Sequence, residues 1–299
     1  MSEKVDGQEW RMPPTSPSTL GRNMTMSTKL HTRSQMGRQS AYVERSSNSS
    51  SIVIFLHGLG LDAGDYCDYL QRHDEQHSIA ITLLGFEAKS SVSAGPISLR
   101  EHVETVSDVI AEIQGKHPEK KIVLAGFSLG ADLILCLAEH WRENRSAAPR
   151  IRAALLLDPN VNQSTMTISK VFAEADPKDP LPAFEKLISQ ATDQAVLQAL
   201  HSYVGKVRTK DFVQLWSLSR DMLDYWHPGG YTQIGTRLAA AAAVSDTVRV
   251  VLSSGYKVHL PAMRAAVADE PRISFSLTSM GHFDLIHEEN LAPELDRIR

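Results

Sequence analysis

Short apolar runs alternate with segments of helical spacing along most of the chain after residue 50. Residues 52–56 are Ile-Val-Ile-Phe-Leu, and such a run is typical of a strand buried on both faces, as in a parallel sheet. Residues 99–113 instead repeat apolar side chains at helical spacing. This alternation predicts an α/β fold with a doubly wound, mostly parallel sheet. The predicted strands are residues 52–56, 79–84, 121–125, 153–157, 248–252 and 273–277.

The alternation stops between residues 160 and 229, where several helical segments follow one another with polar breaks. We predict that this stretch is a helical cap, inserted into a core made of residues 51–159 and 230–299. The aromatic and methionine side chains of the cap could line an acyl pocket, or they could pack the cap helices together.

Residues 1–50 are predicted to form an N-terminal tail, with weak edge strands at 29–33 and 40–45. Between residues 11 and 43 the chain has no Asp or Glu and is rich in Ser and Thr. Two interpretations stay open, a flexible tail and an organelle transit peptide. The first ten residues are polar, which does not indicate a secretory signal peptide.

Composition excludes several classes of function. The formal net charge of −4 gives no general attraction to nucleic acid or to anionic membranes. No run approaches 18 apolar residues, so no transmembrane segment is predicted. The two cysteines, Cys67 and Cys136, have no metal-binding spacing, and a chain without a disulfide framework fits a reducing compartment. We therefore predict a cytoplasmic protein that uses no cofactor and no metal.

A glycine-rich turn follows the third predicted strand. Residues 126–130 read Gly-Phe-Ser-Leu-Gly, which fits the pattern G-x-S-x-G between a strand and a helix. The chain must turn sharply there, so the residues two before and two after Ser128 must be small. The turn also lifts the serine hydroxyl to the N-terminus of a helix, where free N–H groups favour a developing oxyanion. This context predicts that Ser128 is a nucleophile.

Three matched segments give the chain a resemblance to the α/β-hydrolase family from about residue 50 to 299. They are residues 56–60 (Leu-His-Gly-Leu-Gly), the Ser128 turn, and Gly281-His282, in the order that the family has. The resemblance implies an oxyanion hole formed by the backbone N–H groups of Leu59 and Leu129. In similar sequences the histidine at the place of His57 braces the loop.

The same resemblance implies that His282, after the last predicted strand, is the catalytic base. It would take the proton of Ser128 and return it to the leaving group. His287 is the nearest competitor, but it falls at the edge of the final predicted helix, which favours a surface or capping role.

The expected acid is missing from its usual place in the family, the loop after the penultimate strand. Residues 253–261 contain no Asp or Glu, and Val258 stands where an aspartate is expected. Asp158 ends the strand that follows the nucleophile helix, and the carboxyl ends of parallel strands form the ligand-binding crevice. We predict that Asp158 completes the triad. Weaker candidates are Asp132, Asp284, Asp62 and Asp65.

The placement of Asp158, with an insertion directly after it, resembles thioesterase domains that release polyketide or nonribosomal products. The resemblance implies hydrolysis or cyclising release of an apolar acyl ester or thioester through an acyl-enzyme, with a small-molecule or carrier-bound substrate. Two alternatives remain: a carboxylesterase or lipase-like enzyme, and a non-catalytic binding protein with the same fold.

Overall fold

The computed structural model describes residues 28–35, 38–87, 95–144, 149–226 and 230–298. The predictions made for residues 1–27, including the transit peptide, lie outside the described residues. The described chain forms an eight-stranded sheet in the order β1-β2-β4-β3-β5-β6-β7-β8. Its strands are β1 (Thr28–Gln35), β2 (Arg38–Arg45), β3 (Ser51–Leu56), β4 (His77–Thr82), β5 (Lys121–Phe127), β6 (Ile151–Leu157), β7 (Ser245–Leu252) and β8 (Ile273–Leu277).

Strands β3 to β8 pair in parallel, and β1 and β2 form an antiparallel hairpin that joins the sheet beside β4. All six strands predicted after residue 50 are present, which confirms the α/β fold. The central strands are apolar along their whole length because helices cover both faces, and Ile52 to Leu56 are fully buried. Each such side chain contributes roughly 1.5–3 kcal/mol of hydrophobic free energy.

Ten helices accompany the sheet in the described part of the chain. They are α1 (Cys67–Arg72), α2 (Leu99–Lys116), α3 (Leu129–Glu143), α4 (Thr167–Ala173), α5 (Leu181–Ile188), α6 (Gln194–Val207), α7 (Phe212–Tyr225), α8 (Tyr231–Val244), α9 (Leu260–Ala266) and α10 (Glu288–Asp296). Ser98 starts α2 with a capping box to Glu101, which satisfies backbone N–H groups that the first turn leaves free. The helix predicted at 99–113 is therefore present, and it continues three residues further, to Lys116.

Helices α4 to α7 occupy the segment between β6 and α8, where the cap was expected. The rings of Phe172, Phe184 and Phe212 pack edge to face, with centroids 5.4–6.2 Å apart. All three rings are buried, so they fill the interior of the cap rather than line a pocket. Of the two uses considered for the cap aromatics, internal packing applies to this cluster.

No described helix is both long and apolar enough to span a lipid bilayer. Cys67 and Cys136 are free thiols. Burial raises the pKa of Cys67 to about 11 and raises that of Cys136 further, so both are protonated at neutral pH.

Candidate active site

The turn from β5 into α3 is strained at Ser128, whose φ is 51° and ψ −116°. A Cβ atom on Gly126 would stand 2.3 Å from the carbonyl oxygen of Gly130, and one on Gly130 would stand 2.1 Å from that of Leu56. Both positions therefore require glycine. The described non-glycine residues with positive φ are Ser128 and Asp158, and such strain persists where the surrounding structure enforces it, often at functional sites.

His282 and Asp158 are in direct contact. The distance from His282 Nδ1 to Asp158 Oδ2 is 2.7 Å. Because a carboxylate only accepts, Nδ1 is the donor in this contact, and in the neutral imidazole that tautomer leaves the lone pair on Nε2. The His282 side chain is 28% exposed whereas that of Asp158 is fully buried, so solvent and small molecules reach the histidine but not the acid.

The loop after β7 supplies a backbone donor instead of a carboxylate. Ser253 N–H donates to Asp158 Oδ1 at 2.6 Å, and Ser254 N–H donates to the carbonyl of Met280 at 3.1 Å. Val258 is 78% exposed, whereas the acid is fully buried. Asp158 follows β6 and His282 follows β8, so their contact spans the end of β7, which lies between them. The loop after β7 holds the other carboxylate oxygen of Asp158 through Ser253 N–H.

Ser128 and His282 form no hydrogen bond with each other among the described residues, but the residue before Ser128 contacts the histidine. The ring of Phe127, the residue before Ser128, lies 4.6 Å from the His282 ring. Nucleophile–base hydrogen bonds in unliganded sites are often long and tighten when substrate binds. The structure therefore pairs the predicted base with the predicted acid, and it places the residue before the predicted nucleophile in contact with that base.

Two backbone N–H groups near Ser128 are available to an oxyanion. Leu129 is the first residue of α3, so its N–H has no intrahelical acceptor, and neither Leu129 nor Leu59 N–H donates to another described group. His57 is buried behind this loop. Its Nδ1 donates to Gly58 O at 2.7 Å and its Nε2 accepts from Leu83 N–H at 3.0 Å, while burial lowers its pKa. His57 thus braces the loop as a neutral imidazole, and both of its nitrogens are occupied.

The remaining sequence candidates have other contacts. Asp284 accepts from Gly281 N–H at 2.9 Å, and exposed His287 stands at the N-cap position of α10 without a side-chain cap hydrogen bond. Asp62 caps the turn Ala63–Tyr66 through a capping box with Asp65. None of these groups contacts His282 in the described chain.

Asp132 is buried in α3, one turn after Ser128. It accepts from the backbone N–H of Asn160 at 2.8 Å, from the Asn160 amide, and from Trp226 Nε1 at 3.3 Å. Asn160 begins the cap and Trp226 follows its last helix, so a single carboxylate holds both ends of the insertion. The hydrogen bonds from these donors favour the ionised carboxylate, but burial has the larger effect and raises the pKa of Asp132 to about 6.

We expect Asp132 to make stability fall as pH rises. Its folded pKa lies above its ordinary value of 3.8, so its contribution is complete only below that value and is lost as pH rises through about 6. The wild type should lose about 2 kcal/mol relative to Asp132→Asn between pH 4 and pH 7.5. Urea unfolding of both proteins at the two pH values measures this, and a pH-independent difference would contradict it.

A group of metal-type ligands lies at the other end of the sheet, where Glu44, His77 and His117 bring ligand atoms within 4.8 Å of one another. His77 Nε2 donates to Glu44 at 2.9 Å, and Lys120 Nζ donates to His77 Nδ1 at 2.9 Å. The hydrogen bond from His77 lowers the pKa of Glu44 to about 2. A metal-bound imidazole would turn its Nδ1–H toward the lysine ammonium, so these contacts favour a hydrogen-bonded cluster over a metal centre.

Sequence reasoning missed the contacts that the cap makes with the predicted oxyanion loop. Four residues of this part of the cap contact residues 59–65. They are Tyr203 and the residues three, four and seven positions after it, Lys206, Val207 and Lys210. Their spacing is the signal of a single helical face, but nothing in the sequence indicates which surface that face meets.

A family model described as the alpha/beta hydrolase family matches residues 53–294. The chain belongs to this family. The Ser128 turn, Asp158 and His282 all lie within the matched residues of this α/β hydrolase.

Known proteins similar to this α/β hydrolase differ widely. It is 25% identical over 135 residues to the multifunctional-autoprocessing repeats-in-toxin protein of Vibrio vulnificus, covering 44% of this chain and 2% of the toxin's length. The solved structure of AqDC, a protein that cleaves the ring of the Pseudomonas quinolone signal, has a TM-score of 0.67 at 18% identity, over 90% of this chain and 98% of that one. A lipase-esterase related protein from Clostridium acetobutylicum has a TM-score of 0.59 at 15% identity, over 90% and 99%. At these identities the solved structures show a shared fold.

Proposed function

We propose that the protein is a serine hydrolase that cleaves an ester or thioester of an apolar acyl group through Ser128, His282 and Asp158. The observation that carries the proposal is the 2.7 Å contact from His282 Nδ1 to Asp158, beside a strained serine at a helix N-terminus. A buried carboxylate orients such an imidazole and stabilises its charged form.

In the first half of the proposed reaction, Ser128 Oγ attacks the acyl carbonyl carbon while His282 Nε2 takes the hydroxyl proton. The carbonyl oxygen becomes an oxyanion that accepts from the N–H groups of Leu59 and Leu129. The tetrahedral intermediate then expels the alcohol or thiol, which receives the proton from His282. The acyl group stays on Ser128 as an ester.

In the second half, water attacks the acyl-enzyme and gives a proton to His282. Collapse of the second tetrahedral intermediate releases the carboxylic acid, and the proton returns to Ser128 Oγ. An internal hydroxyl of the acyl chain in place of water would give a cyclic product. The partly exposed His282 edge is compatible with either acceptor.

We further propose a thioester as the preferred substrate, free or carrier-bound. The support is the acid at the end of β6 with the cap inserted directly behind it, the layout that resembles product-releasing thioesterases. The lipase-esterase name of one structural neighbour supports an oxygen ester as the second candidate. The two free thiols support the prediction of a cytoplasmic protein.

Paired substrates with the same acyl chain test the proposal. We expect turnover of both S-ethyl thioesters and O-ethyl esters of medium-length fatty acids, with the higher kcat/KM for the thioester. A fluorophosphonate probe should label Ser128, read by mass spectrometry of the digested protein. A preference for the oxygen ester would favour the esterase alternative. A folded protein that shows neither labelling nor turnover would favour the remaining alternative, a non-catalytic binding protein with the same fold.

A further inference from the structure

We propose that Tyr203 of the cap is a positioning residue for the oxyanion hole, so that closure of the cap and assembly of the hole are one event. This inference rests on the proposed function. The Tyr203 hydroxyl donates to the carbonyl oxygen of Leu59 at 2.8 Å, and Leu59 supplies the proposed oxyanion N–H. Burial raises the pKa of Tyr203, so its hydroxyl keeps its proton.

The direction of the Leu59 N–H depends on two neighbouring peptide groups. The peptide that contains this N–H also contains the Gly58 carbonyl, which His57 Nδ1 holds at 2.7 Å and Leu61 N–H at 3.1 Å. The next peptide contains the Leu59 carbonyl, and Tyr203 is the donor that the structure gives it. The core therefore fixes one side of Leu59, and the cap fixes the other.

Helix α6 meets the loop over a continuous face. Gly60 has a φ of +76°, and a Cβ there would lie 2.7 Å from Val207 Cγ2, so the helix packs directly on the loop backbone. Lys206 pairs with Asp65 at the edge of this face. Helix α6 therefore packs against the loop backbone at one end and is paired with it at the other.

Lys210 fastens the end of the same face. Its ammonium is buried, pairs with Asp62 and donates to the carbonyl of Phe86 at 2.7 Å. Burial alone would raise the pKa of Asp62, but the charge and hydrogen bond of Lys210 outweigh it and lower the pKa. These two contacts give the buried ammonium its hydrogen-bond partners in the docked position of α6.

Tyr203 also contacts the loop that carries His282. Its ring lies 5.0 Å from that of Phe283, the residue after the proposed base. Tyr203 therefore stands between the oxyanion loop and the histidine loop, and lifting α6 would remove a support from both.

Tyr203→Phe tests this role because it deletes only the hydroxyl. We expect kcat to fall about tenfold with little change in KM, since a loosened donor costs less than the 10²–10³-fold of a deleted one. The rate of fluorophosphonate labelling at Ser128 should fall to a similar extent. Replacement of the substrate carbonyl oxygen by sulfur, in thionoesters, weakens oxyanion hydrogen bonds. The wild-type preference for the oxygen substrate should therefore shrink in the variant.

Tyr225→Phe is the matched control. The Tyr225 hydroxyl also joins the cap to the core, donating to Glu139 Oε2 at 2.9 Å, but it does not contact the oxyanion loop. We expect this variant to keep the wild-type oxygen-to-sulfur preference. Amide hydrogen exchange in residues 57–62 should be faster in Tyr203→Phe than in Tyr225→Phe, which reports on the loop independently of turnover.

The outcomes separate this inference from the proposed function. An active wild type with unchanged kcat, substrate preference and loop exchange in Tyr203→Phe overturns the inference alone. A wild type without labelling or turnover overturns the proposed function, and the positioning role with it.

Discussion

Ser128→Ala is expected to lower kcat by about a millionfold, because the serine oxygen is the nucleophile and water cannot replace it in the acyl-enzyme route. Fluorophosphonate labelling should disappear completely. The hydroxyl forms no hydrogen bond among the described residues, so its removal leaves no polar group unpaired. We therefore expect the melting temperature to stay within a few degrees of the wild type. Steady-state turnover, intact mass after labelling and thermal unfolding measure these three results.

Ser189→Ala is a suitable control for this substitution. Ser189 is exposed, and its hydroxyl donates to the Lys186 carbonyl at 2.8 Å at the end of α5. This variant should keep full activity and full labelling. Residual labelling of Ser128→Ala at another residue, with turnover retained, would show that the nucleophile lies elsewhere.

Asp158→Asn is expected to lower kcat by about ten-thousandfold while the protein stays folded. The Ser253 N–H points at Oδ1, so the amide oxygen of an asparagine would occupy that position and its NH₂ would face His282. An NH₂ donating to Nδ1 forces the imidazole hydrogen onto Nε2, which then cannot accept the proton of Ser128. The variant therefore holds the wrong tautomer in nearly the right geometry.

Two aspartates make the test of Asp158 specific. Asp246→Asn, at the exposed amino end of β7, should leave kcat unchanged. Asp284→Asn removes the carboxylate nearest to His282 in sequence, whose Oδ2 accepts from Gly281 N–H. If Asp284→Asn lost most of its activity and Asp158→Asn lost none, the acid would be Asp284 and the assignment of Asp158 would be wrong.

The fold was predictable because its signals are local. Runs such as residues 52–56 are apolar throughout since both faces of a central parallel strand are covered, and helical spacing marked α2. The hairpin of β1 and β2 is longer than the weak strands predicted there. Its pairing with β4 depends on long-range contacts that a polar segment does not encode by its own pattern.

The oxyanion contacts of the cap could not be predicted in this way. The segments that hold Tyr203 and Leu59 are separated by more than 140 residues, and the chain between them contributes three of the eight strands of the sheet. The apolar and cationic face of α6 is visible in sequence, but its partner is set by where the cap docks. Asp132 likewise looks like an ordinary helix residue until Asn160 and Trp226 converge on it.

Ser128 and its two glycines are the feature that the sequence alone determined, because the strand-to-helix turn has steric requirements within five residues. The sequence also singled out His282 and Asp158 by their places after predicted strands. Only the tertiary structure decided that these two side chains meet, since their contact depends on the order β6-β7-β8 and on the Ser253 N–H that orients the acid. Strand order is a property of long-range pairing, and no local pattern of residues specifies it.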